Sequence, residues 1–124
     1  MIERIDIGMA PSDAPVSDAV RAGKQVWLVA IAEDPQTGTI IAGDIGVQTR
    51  QTLENLRRGI EAAGGTMANI VQVQVHLTDR SDAAGMNAVY REFFAAPYPV
   101  RATVISGLLA EGLRVEMLAT AVLD

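Results

Sequence analysis

The feature that most restricts the fold is an imbalance between apolar strands and the helices available to cover them. Two segments of the 124-residue chain show the spacing of amphipathic helices, whereas several strand-like segments are apolar on both faces. These strand-like segments are residues 26–31, 39–42 and 113–121. Two helices can cover only one face of one sheet. The pattern therefore predicts a homo-oligomer in which copies of the chain bury the second face and form sites at their interfaces.

Proline, glycine and polar turn residues divide the chain, whose length fits a single domain over residues 1–124, into elements. The first helix is predicted to begin at the N-cap Asp44 and to end at Gly64-Gly65, and the second to span Ala83 to Ala95. Within one strand, Val71, Val73, Val75 and Leu77 are expected to face the same side. The predicted strands are residues 2–6, 16–22, 25–31, 39–42, 70–77, 100–106 and 113–122.

Composition and charge exclude several classes of function. The 15 acidic and 10 basic side chains give a net charge of −5, which disfavours binding to nucleic acid. The absence of cysteine excludes thiolate nucleophiles and cysteine-ligated zinc, and a single histidine excludes multi-histidine metal sites, so no metal is expected. The longest apolar stretch, Val26 to Ala32, is too short to cross a bilayer, and the N-terminus lacks the layout of a signal peptide. We therefore expect a cytoplasmic protein without membrane contact.

The last two strands carry polar residues in apolar surroundings. If they form a hairpin with Ser106 opposite Glu111, then Arg101 falls directly across from Glu116. Such a pair can be an ordinary cross-strand ion pair, which contributes about 0–1 kcal/mol when exposed. It can also form a small-anion site, because arginine grips a carboxylate with two parallel bonds and a glutamate can hold a water for attack on an electrophilic carbon.

Each of several other polar residues has both a functional and a purely structural interpretation. His76, with Asp79 nearby, can serve as a ligand or base, although a partly exposed histidine with ordinary hydrogen bonds is more common in a strand. Asn87 and Tyr90 on the second helix can reach a site, although Tyr90 also fits the core. Thr103 shares a strand face with Arg101 and can line the same pocket, but threonine is common on strands without a functional role.

Several segments, taken in order, resemble the RidA (YjgF/YER057c/UK114) family. The ending, in which Arg101 follows Pro99-Val100 and Glu116 follows Val115, is similar to the C-terminal signature of that family. The resemblance covers nearly the whole chain, and its specificity comes from the order and spacing of the segments. The other segments that carry it are 43–56, 71–79 and 86–94.

The resemblance implies a chorismate mutase-like α+β fold, with a single mixed sheet, two helices on one face and a trimeric barrel of sheets. It also implies a homotrimer with interface clefts, in which reactive enamines and imines such as 2-aminoacrylate are hydrolysed to 2-keto acids and ammonia without a cofactor. By the same resemblance, Arg101 binds the substrate carboxylate, Glu116 orients the attacking water, and Asn87 lies close to the cleft.

The chain departs from the family pattern at four places. Val16 replaces the usual tyrosine, Val29-Ala30-Ile31 replaces Ser-Gly-Gln, and Thr103 replaces cysteine. Leu118 replaces the second glutamate of the terminal strand. The pocket expected from Val16, Ala30, Ile31 and Thr103 is therefore less polar, which favours either a bulkier or more apolar substrate than 2-aminoacrylate or a weak activity.

Three functions remain open at this point. The first is carboxylate-anchored hydrolysis of an imine by Arg101 and Glu116. The second is a non-catalytic binding or regulatory trimer, whose cleft holds a keto acid or a similar small anion without turning it over. The third is a ribonuclease, which the single histidine and the net charge of −5 disfavour.

Overall fold

The computed structural model describes all residues, 1–124, and contains one six-stranded sheet with two helices. The order of strands across the sheet is β1-β2-β3-β6-β4-β5. Single 3-10 turns at Met67–Asn69 and Arg80–Asp82 precede β4 and α2. The elements are β1 Glu3–Arg4, β2 Ala19–Ala22, β3 Gln25–Ile31, α1 Ile45–Ala62, β4 Ile70–Leu77, α2 Ala83–Phe93, β5 Val100–Ile105 and β6 Val115–Val122.

The topology follows from two helical crossovers. Strand β5 runs parallel to β4 and reaches it through α2, as a parallel pair requires. Strands β3 and β4 both run antiparallel to β6, so they are parallel to each other and are joined through α1. The C-terminal strand β6 fills the gap between them. The result is the single mixed α+β sheet that the resemblance to the RidA family implies.

Helix α1 begins and ends as its sequence predicts. The carboxylate of Asp44 accepts a hydrogen bond of 3.0 Å from the backbone N–H of Val47. The stripe at Leu53, Leu56 and Ile60 is at most 1% exposed. The helix ends at Ala62, and Gly64 then adopts φ +94°, a conformation that glycine takes without strain.

Both helices pack on the same face of the sheet, and the hydrophobic core lies between them and that face. We call the opposite side, which no element of this chain covers, the open face. The apolar residues exposed there include Trp27, Leu118, Val104 and Val122, which are between 37% and 49% exposed. No helix of the chain is both long enough and apolar enough to traverse a bilayer.

The predicted hairpin of the last two strands is wrong. Arg101 pairs with Val73 of β4, whereas Glu116 pairs with His76 of β4 and Ile31 of β3. Strand β4 therefore lies between the two charged residues. The nine residues 106–114 are long enough to pass the end of β4, and β6 gains a ladder on both edges in its central position.

Smaller differences concern element ends. Residues 39–42 form only one isolated bridge, between Glu33 and Ile40, instead of a strand. The first two predicted strands shorten to two and four residues, and α2 ends at Phe93 instead of Ala95. A register shift between Ile70 and Gln72 inserts Val71 as an extra residue, so Ile70 is buried and Val71 is exposed.

Candidate functional site

Glu116 lies on the open face, at the edge of a groove with a volume of about 780 Å³. The groove is bounded by β3 and β6, by the N-terminal segment and by the loop before β6. Four of the residues that the sequence assigned to the site line this groove, namely Glu116, Val16, Ala30 and Ile31. Ala30 also belongs to the buried core.

A buried amide on α1 fixes the end of β3 at this groove. The Nδ2 of Asn55 donates to the backbone oxygens of Ile31 and Glu33, at 2.9 Å each. Asn55 is only 3% exposed. Because these carbonyls lie at and just beyond the last pair of β3, the side chain supplies hydrogen bonds where the ladder ends. The wall of the groove is thereby attached to the helix layer.

A second buried amide holds the loop that leads into β6. The Nε2 of Gln48 donates to the backbone oxygens of Gly112, at 2.6 Å, and Ile41, at 3.1 Å. Its Oε1 accepts from the backbone N–H of Arg114 at 2.8 Å. Gln48 is 1% exposed and uses both the nitrogen and the oxygen of its amide, so it ties two loops beside the groove to α1.

The groove is acidic. Four acidic residues line it, and none of them forms an ion pair, namely Asp6, Asp18, Glu33 and Glu116. Burial raises the pKa of the Glu33 carboxyl above its ordinary value, and the charge of Asp18 raises it further. Arg4 is the basic residue among the groove's lining.

Arg101 lies on the other side of the sheet. Its strand partner Val73 belongs to the core face. The guanidinium carbon of Arg101 lies 4.7 Å from the centroid of the Tyr90 ring on α2. Its Nη1 approaches the sulfur of Met86 at 4.0 Å. The Tyr90 hydroxyl is buried without a hydrogen-bond partner. Burial raises the pKa of that hydroxyl, and both the charge of Arg101 and the approach of its N–H groups oppose this rise, although no N–H of Arg101 meets the geometry of a full hydrogen bond.

Thr103 and Asn87 accompany Arg101. Thr103 pairs with Val75, whose side chain is in the core, so it shares the helix side of β5 and is exposed. Asn87 follows Met86 on α2, is half-buried and makes no side-chain hydrogen bond within the chain. The predicted site residues therefore form two groups in one protomer, one at the groove and one beside α2.

The structure also shows a partner of His76 that sequence reasoning missed. The imidazole Nδ1 lies 3.1 Å from the hydroxyl oxygen of Ser106, and His76 forms no hydrogen bond or ion pair with Asp79. Asp79 accepts hydrogen bonds of 2.8 Å from the backbone N–H and the hydroxyl of Ser81 and caps a 3-10 turn. No sequence signal indicates the Ser106 contact, because it depends on the parallel pairing of β4 with β5.

Comparisons with known proteins agree on one family. A RutC family protein of Pyrococcus horikoshii is 41% identical over 108 residues, which are 86% of each chain. A protein of Dermatophagoides farinae named 2-iminobutanoate/2-iminopropanoate deaminase is 31% identical over 122 residues, 97% of this chain and 95% of that one.

Among solved structures, that of Escherichia coli TdcF with bound serine superposes with a TM-score of 0.89 and 32% identity, over 98% of this chain and 99% of that one. The fold is accordingly the chorismate mutase-like fold of the Rid structures. The family model described as Endoribonuclease L-PSP matches residues 8–123, and the chain therefore belongs to the YjgF/RidA family.

Proposed function

We propose that this protein hydrolyses the imines of small 2-keto acids to the keto acid and ammonia, in clefts formed between copies of the chain. The observation that carries the proposal is the separation of Glu116 from Arg101. One lies on the open face and the other on the helix side of the edge strand, with β4 between them. A site that uses both groups is complete only when Arg101 comes from a neighbouring copy.

Arg101 is suited to hold the substrate carboxylate. It lies on the edge strand β5, is half-exposed and forms no ion pair within the chain. The Tyr90 ring supports one face of the guanidinium by a cation–π contact, which leaves the planar fork available for two parallel bonds to a carboxylate. The structure of TdcF contains bound serine, which supports a ligand of amino-acid size and charge for this chain as well.

Glu116 is suited to activate water. The carboxylate takes a proton from the water as its oxygen bonds to the carbon of the protonated imine, which gives a carbinolamine. The protonated Glu116 then returns that proton to the amine nitrogen, and the carbon–nitrogen bond breaks to release ammonia. The released ammonia takes the proton of the hydroxyl group that remains on the carbon and becomes ammonium, which leaves the keto acid. The protonated imine is itself the electrophile, so the scheme needs no cofactor.

The uncovered sheet face supports an assembly of several copies. Trp27 and Leu118 lie exposed in the middle of the open face, where the structure of one chain offers no cover. A contiguous apolar surface of this kind is typical of a permanent interface. We propose a homotrimer, as the resemblance implies, with the open faces turned inward.

The lining of the groove favours substrates larger than 2-aminoacrylate. Val16, Val29 and Ile31 present aliphatic side chains to the groove, where a longer aliphatic substrate can contact them. Each additional buried methylene contributes about 0.8 kcal/mol to binding. We therefore expect imines derived from branched or longer aliphatic amino acids to be the better substrates.

A mixing experiment tests both the chemistry and the shared site. Ammonia release is measured from imines generated in place by an amino-acid oxidase, for Arg101→Ala, for Glu116→Gln and for the two variants refolded together. Each variant alone loses about 2–4 kcal/mol of transition-state stabilisation. The mixture regains about a quarter of the wild-type rate, because random assembly of two variants restores an intact pair at one site in four.

The control is a single chain that carries both substitutions, mixed with wild-type protein. If the two chains assemble at random, one site in four takes both groups from wild-type protomers. If each chain assembles only with itself, half of the sites stay intact, so the measured rate shows whether mixed oligomers form. If Arg101→Ala protein releases ammonia as fast as wild type, the hydrolase proposal is wrong. If the two inactive variants show no recovery although mixed oligomers form, the site does not lie between copies.

The aliphatic lining also keeps a second candidate open, a trimer that binds keto acids without turnover. Val16 and Val29 offer no hydrogen bonds to orient a reacting imine. A keto acid stabilises the fold against heat in both cases, whereas only an enzyme accelerates ammonia release. A thermal shift with 2-ketobutyrate, in the absence of any rate enhancement, identifies the binding protein.

A further inference from the structure

A row of three polar side chains crosses the open face from β5 to β6. His76, the only histidine of the chain, stands in the middle on β4. Its Nδ1 lies 3.1 Å from the hydroxyl of Ser106, and Glu116 is its direct cross-strand partner on the other side. All three residues are half-buried.

The backbone holds this row in register. Val104 of β5 pairs with His76, and the N–H of Ser106 donates to the backbone oxygen of Leu77 at 2.9 Å, which continues the β4–β5 ladder by one bond. The alternation of side chains places Ser106 on the same face as Val104. Directly opposed residues of an antiparallel pair have Cβ atoms about 5 Å apart, so a change of rotamer brings the imidazole of His76 within reach of the Glu116 carboxylate. In the single chain the two side chains form neither a hydrogen bond nor an ion pair.

Other charged groups near the row already have partners. Arg114, two residues before Glu116, makes a two-bond ion pair with the buried Asp82, at 2.9 and 3.1 Å. Asp79 caps the turn after β4. Of the remaining neighbours of His76, Gln74 on its own strand and Val104 on β5 carry no charge. Glu116 is therefore the group in this row that the free Nε2 of His76 can bind.

We infer that His76 is a positioning residue for Glu116, and that Ser106 selects its tautomer. The Ser106 hydroxyl donates a hydrogen bond to Nδ1, so the neutral ring carries its proton on Nε2. The Nε2–H group then donates a hydrogen bond to the Glu116 carboxylate. A carboxylate held in this way keeps one oxygen directed at the water in the groove. The catalytic role of His76 rests on the proposed function, whereas the arrangement of the three side chains does not depend on that function.

Three substitutions at position 76 separate the two ends of the imidazole. In His76→Gln the amide nitrogen takes the place of Nε2, in His76→Asn it takes the place of Nδ1, and in His76→Phe neither is present. We expect kcat to fall about tenfold in the Asn and Phe variants with KM within twofold of wild type, and the Gln variant to retain most of the rate. Wild-type kcat in the Phe variant, or a Gln variant as slow as Phe, overturns the inference.

Nuclear magnetic resonance tests the arrangement without any turnover. With one histidine per chain, the two ring ¹⁵N signals report the tautomer directly, and we expect the Nε2–H form at pH 8. Ser106→Ala produces a mixture of tautomers, and Glu116→Gln shifts the Nε2 signal, whereas the exposed control Glu111→Gln leaves it in place. A mixed tautomer in the wild type, or an Nε2 signal that ignores Glu116→Gln, contradicts the inference.

The two experiments also separate this inference from the proposed function. If Arg101→Ala and Glu116→Gln abolish ammonia release while all His76 variants match wild type, the hydrolase proposal stands and the role of His76 is wrong. If no form of the protein releases ammonia faster than buffer, the proposed function fails, and the ¹⁵N signals still decide whether Ser106, His76 and Glu116 are coupled.

Discussion

The guanidinium of Arg101 lies over the ring of Tyr90, with 4.7 Å between its central carbon and the ring centroid. The ring is 5% exposed and belongs to the core, so it forms a rigid support for a charged group on an otherwise exposed edge strand. Its hydroxyl, in contrast, is buried without a hydrogen-bond partner. The aromatic face and the hydroxyl of Tyr90 therefore have opposite effects on the protein, which substitutions can separate.

Tyr90→Phe keeps the ring beneath Arg101 and removes the unpaired hydroxyl. We expect the free energy of unfolding to rise by about 1 kcal/mol, because a buried polar group without a partner costs about 1–3 kcal/mol. Urea denaturation measures the change, and Tyr98→Phe, at an exposed position, serves as the control. A less stable Tyr90→Phe protein would show that the hydroxyl has a hydrogen-bond partner, either Arg101 of the same chain or a group of a neighbouring copy.

Gln48→Leu removes the three hydrogen bonds that tie the loops beside the groove to α1. Leucine leaves these backbone groups without partners in a buried place, so we expect a loss of about 3 kcal/mol in the free energy of unfolding. Gln51→Leu, one turn later on the same helix, removes only a bond to Asn55 and loses less than about 1 kcal/mol. Equal losses in the two variants, measured in urea, would refute the special role of Gln48.

Glu33→Gln tests the acidic character of the groove through the pH dependence of stability. Burial and Asp18 raise the pKa of Glu33, so the fold prefers the protonated carboxyl. The stability that this preference contributes is present below the pKa of an unfolded glutamate, about 4.3, and is lost as pH rises through the folded pKa.

The Gln variant does not ionise and keeps that stability at neutral pH. We expect its melting temperature to exceed that of wild type by about 2 °C at pH 7.5 and to match it near pH 3.5. Differential scanning calorimetry at both pH values measures the difference. Glu111→Gln, on an exposed loop, changes neither value. The same difference at both pH values would mean that the charge of Glu33 is not responsible.

Leu118→Lys tests the cover of the open face. Leu118 is 49% exposed in the single chain, and a lysine there is tolerated in a monomer but not in a buried interface. We expect light scattering after size-exclusion chromatography to show a trimer for wild type and smaller species for the variant. Val47→Lys, with 47% exposure on the outer surface of α1, keeps the wild-type mass. An unchanged mass for Leu118→Lys would place the interface elsewhere.

Local patterns predicted the elements that depend on local physics. The cap at Asp44, the stripe that includes Leu53 and Leu56, and the stop at Gly64 are consequences of helix geometry, and all three are present. The surplus of apolar strand surface also predicted that one face of the sheet remains uncovered by this chain. That face carries Leu118 and the other exposed apolar residues of the central strands.

The pairing of strands that are distant in sequence could not be predicted from local patterns. A hairpin between the last two strands satisfied the alternation of side chains, but β4 separates Arg101 from Glu116 because the crossover through α1 leaves a gap that β6 fills. The bulge that exposes Val71 is likewise set by pairing with β6.

The sequence by itself determined which residues are apolar, where helices begin and end, and that a guanidinium and a carboxylate lie on the last two strands. These properties depend on neighbours within about one turn or one strand. Only the tertiary structure decided that Arg101 and Glu116 occupy opposite faces, and that His76 lies between Ser106 and Glu116. The order of strands depends on which of all possible pairings gives the best backbone hydrogen bonds and core packing. The alternation of side chains within one strand does not indicate which neighbour that strand will have.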